Sequence, residues 1–353
     1  MTVLGHPIVQ LSGTHIVYNS VKQLFITVFN YRFMKKLFSL LCVLLLVSCS
    51  SDNNTDNTSA PNSYPPDLAG TIYYKWATEG ILKVSLPSAT GGSFIPDDTK
   101  LNSFDVSRDG NYRLTAINAS TVGNYVVKFT LSNMENGSTV HEFNYTSPAG
   151  NSYCTGQLSA DNSLILVKSN DEEDGITILK TDGELVVRIE GLNNTPFSMH
   201  DMAMWLPGNE LLVTHGNMII RIPPPYSSGS LVKEMNYADW GDLAVNHQGN
   251  QLAVSIDNHL YTMGIDGNNM RQVTTSNFKE SKPVFSPDSK YLMVGSNYRQ
   301  SSVMGYSWDM KIIPNDGKEY NVDPIETNSS GVLPVLWKGQ NKIVTGSGDV
   351  IWK

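Results

Sequence analysis

From Leu68 to Lys353 the chain reads as short apolar runs separated by polar turns, and no stretch of ten residues carries the 3.6-residue apolar period of a helix. One unit recurs: an apolar strand, a turn built on Gly, Asp or Asn, then a second apolar strand. Its copies are SFDVSRDGNYRLTAI (103–117), GQLSADNSLILVKS (156–169), DMAMWLPGNELLVTHG (201–216), DLAVNHQGNQLAVSID (242–257), PVFSPDSKYLMVGS (283–296) and PVLWKGQNKIVTGSG (334–348). The position of Asp109 returns at Asp161, Pro207, Gln248, Asp288 and Gly339.

Each copy has the pattern of a hairpin, because β-branched and aromatic residues flank a turn that tolerates unusual dihedrals. A second pair of strand candidates lies between copies, clearest in GITILKTDGELVVRIEG (175–191) and HLYTMGIDGNNMRQVTT (259–275). Two hairpins in each period of about 40–50 residues predict four-stranded units, and radial repetition of such units is a β-propeller. The expected class is therefore all-β. Six copies predict six blades. The segment 70–95 adds up to three further strands, which either complete the last blade with the C-terminal strand or build a seventh.

KPVFSPDSKYLMVG (282–295), with strands that end in Asp-Gly at Asp182-Gly183, Asp266-Gly267 and Asp316-Gly317, resembles the TolB-like propeller repeat. Ser286-Pro287-Asp288 is nearest the full motif of that family and Ser107-Arg108-Asp109-Gly110 follows; the other copies depart from it. The resemblance covers about residues 68–353 and implies a propeller without choosing a ligand. Propellers of this family also cap serine peptidases, but no Gly-x-Ser-x-Gly nucleophile elbow occurs here.

Ahead of the repeats, Met34-Lys35-Lys36, the apolar run Leu37 to Val47 and Ser48-Cys49 form the tripartite pattern of a secretory signal. A cysteine directly after a small residue resembles the lipobox of bacterial lipoproteins, which implies acylation of Cys49 and cleavage before it. Residues 34–48 are then the signal peptide and 1–33 an extension from a mis-assigned start codon. The apolar core is well short of the roughly 20 residues that span a bilayer. Residues 49–67 are rich in Ser, Asn, Asp, Thr and Pro and read as a disordered tether. Ser50, after the lipidated cysteine, lacks the aspartate that in many Gram-negative lipoproteins means inner-membrane retention, which favours the outer membrane, with the propeller in the periplasm or at the cell surface.

Four of the 25 basic residues and none of the 33 acidic ones precede Cys49, so the segment from Cys49 carries a formal charge of −12. Such a domain repels nucleic acid and anionic headgroups, and attachment to a membrane falls to the lipid. Beyond Cys49 only Cys154 remains; it reads as a small buried residue of a strand.

Candidate ligand contacts come from the loops before the innermost strands, which converge on one end of a propeller channel. They are His200, Asp201, Asp239, Trp240 and Lys282, with Asn102 and Tyr153 beside them. Trp240 offers a stacking face and Asp239 a hydrogen-bond acceptor. No His-x-His or His-x-x-x-His ligand pair occurs, so neither metal nor cofactor is expected. His247 falls in a turn of the repeat, and His215 and His259 read as exposed strand ends. The expectation is a cell-envelope lipoprotein whose propeller binds an envelope protein, a peptide or a glycan without catalysis. The alternative is a carbohydrate-active enzyme, similar to a polysaccharide lyase, working at the channel mouth.

Overall fold

The computed structural model describes residues 64–171, 174–301, 305–323 and 331–353; the signal segment, Cys49 and the tether up to residue 63 lie outside the described residues. Six antiparallel sheets succeed one another along the chain as six blades, numbered here in chain order. Blade 1 combines Val350–Trp352 with Gly70–Trp76, Gly80–Leu86 and Thr90–Ile95. Blade 2 holds Leu101–Val106, Tyr112–Asn118, Val127–Asn133 and Thr139–Tyr145. Blades 3, 4 and 5 begin at Cys154–Leu158, Ala203–Trp205 and Trp240–Val245. Blade 6 begins at Ser281–Phe285 and continues into the long strands Tyr291–Ser301 and Gly305–Pro314. The first strand of each of blades 2 to 6, and Val350–Trp352 of blade 1, is innermost and lines a central channel.

The segment 70–95 thus closes the ring with the last residues, and no seventh blade forms among the described residues. Tyr73 pairs with Ile351, and Thr71 and Lys353 exchange backbone hydrogen bonds of 2.6 and 3.0 Å. Packed structure starts ahead of Leu68: Tyr64 is buried, donates to the Pro334 carbonyl at 2.8 Å and accepts from the Leu336 N–H.

The sixth repeat copy is a correction. Residues 334–348 are not an inner hairpin: Pro334 pairs with Lys311 and Gly346 with Trp308, which places the segment on the outer side of blade 6. The pattern misleads because both faces of this segment find apolar cover. Trp337 lies flat over Gly91 of blade 1, where an added Cβ would sit 2.3 Å from the indole, and its Nε1 donates to the Tyr74 hydroxyl. The count of six was right, while the blade credited to this copy is formed by 70–95 with the last strand.

The core is a series of interfaces between neighbouring blades rather than one centre. Leu114 and Phe129 of blade 2 pack on Cys154 and Ile165 of blade 3; Leu166 and Ile176 pack on Trp205 and Leu211 of blade 4. Each fully buried aliphatic or aromatic side chain contributes about 1.5–3 kcal/mol. Gly156 permits this approach, since a Cβ there would lie 2.6 Å from the Phe129 ring.

Wiring in the turns explains the Ser-x-Asp motif. Ser107 donates to Asp109, Ser159 to Asp161 and Ser286 to Asp288, at 2.6–2.8 Å. The same hydroxyls accept the backbone N–H of Tyr112, Leu164 and Tyr291, locking the start of the second strand. The second carboxylate oxygen then reaches the next blade: Asp109 accepts from Asn162 at 3.0 Å and Asp161 from Asn209 at 2.8 Å. Ser289 of blade 6 likewise donates to Gln248 of blade 5. The turn end of the ring is a belt of side chains that bond to one another.

Candidate functional site

A channel of about 690 Å3 runs between the six innermost strands. Its wall repeats with the sequence. Counting back six positions from Asp109, Asp161, Pro207, Gln248 and Asp288 gives Ser103, Thr155, Asp201, Asp242 and Lys282, and each of them lines the channel. Asp349, just ahead of the inner strand of blade 1, completes the ring. One position of the fold therefore presents one polar side chain from each blade at the mouth where the inner strands start.

Two of these residues are held in an uncommon backbone conformation. Asp242 has φ of +45° and Lys282 of +53°, each at a β-bulge where register slips against the second strand. A left-handed conformation costs a residue with a side chain about 1–2 kcal/mol, and such strain gathers at functional positions. The bulges bring the two side chains together across the blade 5–blade 6 boundary, with Lys282 Nζ 2.8 Å from Asp242 Oδ1 and Ser281 Oγ donating to Oδ2. Burial works against ionisation of Asp242, but the Lys282 ammonium and the hydrogen bonds hold its carboxyl below the usual range. Lys282 pays the same burial penalty, and Asp242 nonetheless holds its ammonium above the ordinary value. Both are charged at neutral pH, at the edge of the channel.

Of the residues expected from the sequence, His200, Asp201 and Lys282 line the channel, whereas Asp239 and Trp240 do not. Asp239 makes an exposed ion pair with Lys279 at 3.0 Å, and Trp240 packs half-buried against the apolar cluster that includes Leu243. Asp201 is buried and its carboxylate is engaged by the N–H of Ser198 and by His215 Nδ1, at 2.8 and 3.0 Å. Asn102 and Tyr153 tie blades 2 and 3 together: Asn102 Nδ2 donates to the Cys154 carbonyl and the Tyr153 hydroxyl to the Asn102 carbonyl. His215 and His259 are not exposed strand ends. The first is buried against Asp201, and the second meets the fully buried Glu280 at 3.0 Å. Cys154 is buried, and desolvation first, then the charge of Asp174, pushes its thiol up to about 12. Such a thiol is no nucleophile at neutral pH.

The sequence reading missed Asp242, Asp349, Ser103 and Thr155. For Ser103, Thr155 and Asp242 the signal lay in the offset of six from the turn, not in residue type. At the opposite, turn-side end the wall carries Arg108, His247 and Lys353. Burial and then the charges of Lys353 and Arg108 push the His247 imidazole down to about 4, so it is neutral at physiological pH.

Neither a family model nor a curated protein matches the chain. Solved structures do. Its fold resembles the TolB propeller. TolB from Acinetobacter baumannii is 13% identical with a TM-score of 0.57, over 82% of this chain and 67% of that one. A TolB-type protein from Agrobacterium tumefaciens is 12% identical with a TM-score of 0.50, over 71% of this chain and 86% of that one. A chain of the nidogen/laminin complex is 8% identical with a TM-score of 0.52, over 80% of this chain and 98% of that one. At these identities the likeness is one of fold.

Proposed function

We propose that this chain is a lipid-anchored protein of the bacterial cell envelope, outer membrane favoured, whose propeller is a non-catalytic binding module receiving an envelope peptide, protein or glycan at the mouth ringed by Ser103, Thr155, Asp201, Asp242, Lys282 and Asp349. The observation that carries the reading is the strained pair Asp242–Lys282. Both residues adopt left-handed backbone where glycine would be easier, and both line the channel while pairing with each other across the blade boundary. A fold that holds such a conformation at two equivalent positions spends stability on presenting those groups. A chain of similar fold in the nidogen/laminin complex accords with a binding role for the propeller. Anchorage rests on the pattern Leu46-Val47-Ser48-Cys49.

Calorimetry of the purified full chain against soluble peptidoglycan fragments, uronic-acid oligosaccharides and envelope peptides tests the reading. Binding of one class, intact after incubation and weakened at least about tenfold by Asp242→Asn or Lys282→Gln, supports it. Turnover of a polysaccharide that His200→Ala abolishes would overturn it in favour of a lyase. Cys49→Ser tests the anchor separately: the protein should move from the membrane to the soluble fraction and lose incorporation of labelled fatty acid.

A further inference from the structure

We propose that the turn-side end of the channel is an oxyanion site, in which Arg108 and Lys353 take a carboxylate or phosphate group of a small molecule with His247 beside them. The three residues stand on the channel wall and come from three blades: Arg108 from the first turn of blade 2, His247 from that of blade 5, Lys353 from the end of the inner strand of blade 1. This site lies at the other end of the channel from the mouth discussed above and stands independently of it.

Four cationic side chains line the channel, and they divide into two kinds. Lys282 is paired with Asp242, and Lys168 donates to the Met199 carbonyl at 2.7 Å. Among the described residues, Arg108 and Lys353 make no side-chain hydrogen bond and no ion pair. A half-buried guanidinium and ammonium on a channel wall, with no protein acceptor for their N–H donors, are free to take a ligand, and an oxyanion is the group that suits both. The neighbouring carboxylates do not serve. Asp105 is buried with Oδ1 on the Val106 N–H and Oδ2 on the Leu158 N–H, each at 2.8 Å. Asp109 is engaged by Ser107, Asn111 and Asn162. Both act on Lys353 only through space. Burial holds the Lys353 ammonium below its ordinary value, and the two carboxylates offset only part of that without occupying it.

Electrostatics at the same spot agree. The potential that keeps His247 from binding a proton arises, after burial, from Lys353 and Arg108. A field that expels a proton from an imidazole attracts an anion. At the other end Asp201, Asp242 and Asp349 outnumber Lys168 and Lys282 on the channel wall, so an anionic group is attracted less there than at the turns. Arg108 can meet two oxygens of one carboxylate or phosphate at once, with Lys353 as a point charge on the same group.

The test is calorimetric titration of the purified full chain with inorganic phosphate and, in a second arm, acetate, each at matched ionic strength in sodium chloride. Saturable binding of either ion is expected, weakened at least about tenfold in Arg108→Gln and in Lys353→Gln. Lys338→Gln, at an exposed lysine, should leave it unchanged. The arm that binds names the chemistry, phosphate or carboxylate. Near-UV circular dichroism checks that each variant is folded, and if one fails the other decides. Heats no different from those of chloride in both arms, or equal affinity in the wild type and both variants, would overturn the proposal. That failure would leave the mouth reading intact, because the mouth is tested at Asp242 and Lys282.

Discussion

The two ends of this propeller are built from the same repeat and put it to opposite uses. At the turn end, Ser107, Ser159 and Ser286 donate to the aspartates two positions on, and Asp109 and Asp161 reach asparagines of the next blade. Residue types recur there because the bonds recur. At the other end, six positions earlier, the chain places Ser103, Thr155, Asp201, Asp242 and Lys282. Nothing in the fold requires these types to match, and they do not. Regularity marks where side chains hold the ring together, and irregularity at a regular position marks where they face something else.

The comparison assumes that the ring holds as one body, and that is where the largest effect is expected. Trp352 closes it: the side chain is buried among Ile72, Met293 and Met310, and Nε1 donates to the Ala69 carbonyl at 3.1 Å. Trp352→Ala should cost about 3–5 kcal/mol in urea unfolding, the range for emptying a large aromatic site. A loss near 1 kcal/mol would mean that the ring does not depend on its seam and that blade interfaces elsewhere carry it.

A second effect comes from His247, whose two cationic neighbours set the turn end apart from the mouth. An unfolded histidine takes its proton near pH 6.5, whereas the folded one waits until about 4. Between these values the unfolded state binds more protons, so stability is full above pH 6.5 and falls as pH drops through the window to about 4. Solvent screening reduces the effect to about 1–3 kcal/mol for a half-buried ring. Urea midpoints at pH 7 and 4.5 measure it, and His247→Asn should flatten the slope. An unchanged slope would place the charges of Arg108 and Lys353 too far away to act on this end.

The sequence made the turn end legible and the mouth largely not, for a physical reason. Apolar alternation and the Ser-x-Asp turns report local bonds, so the all-β class, the four-stranded units and the closing role of 70–95 could be read, the last as one of two alternatives. Residues 334–348 carry the same alternation because they too are covered on both faces, and no local rule separates an inner from an outer strand. His200, Asp201 and Lys282 reach the channel because they lie where inner strands start. Trp240 was misplaced because an aromatic ahead of a strand fits a blade interface as well as a mouth. Asp242 escaped because left-handed backbone at a bulge has no signature in residue type, least of all at its partner Lys282.

Asp161 probes the belt directly. Burial opposes its ionisation, yet hydrogen bonds from Ser159, Ser163 and Asn209 bring the carboxyl down to about 2. Its contribution is therefore present above pH 3.8 and is lost as pH falls from there through about 2. Asp161→Ala should cost about 1–2 kcal/mol at pH 7, and a double-mutant cycle with Asn209→Ala should show a coupling of about 0.5–1 kcal/mol. Zero coupling would reduce the belt to a set of separate turns.

The smallest effect on stability is expected at the mouth, and it is the sharpest test of the contrast. Asp242 sits at φ +45°, a conformation that glycine adopts without penalty. Asp242→Gly removes the ion pair with Lys282 and the hydrogen bond from Ser281, together worth about 1–2 kcal/mol, and relieves strain of about the same size. Loss and relief nearly cancel, so the unfolding free energy from urea titration should change by less than about 1 kcal/mol. The same change leaves Lys282 without its partner and erases one of the ring's charges, so ligand affinity at the mouth should fall at least about tenfold. A variant that loses several kcal/mol of stability would show that Asp242 serves the scaffold like the turn aspartates, and the division between the two ends would dissolve.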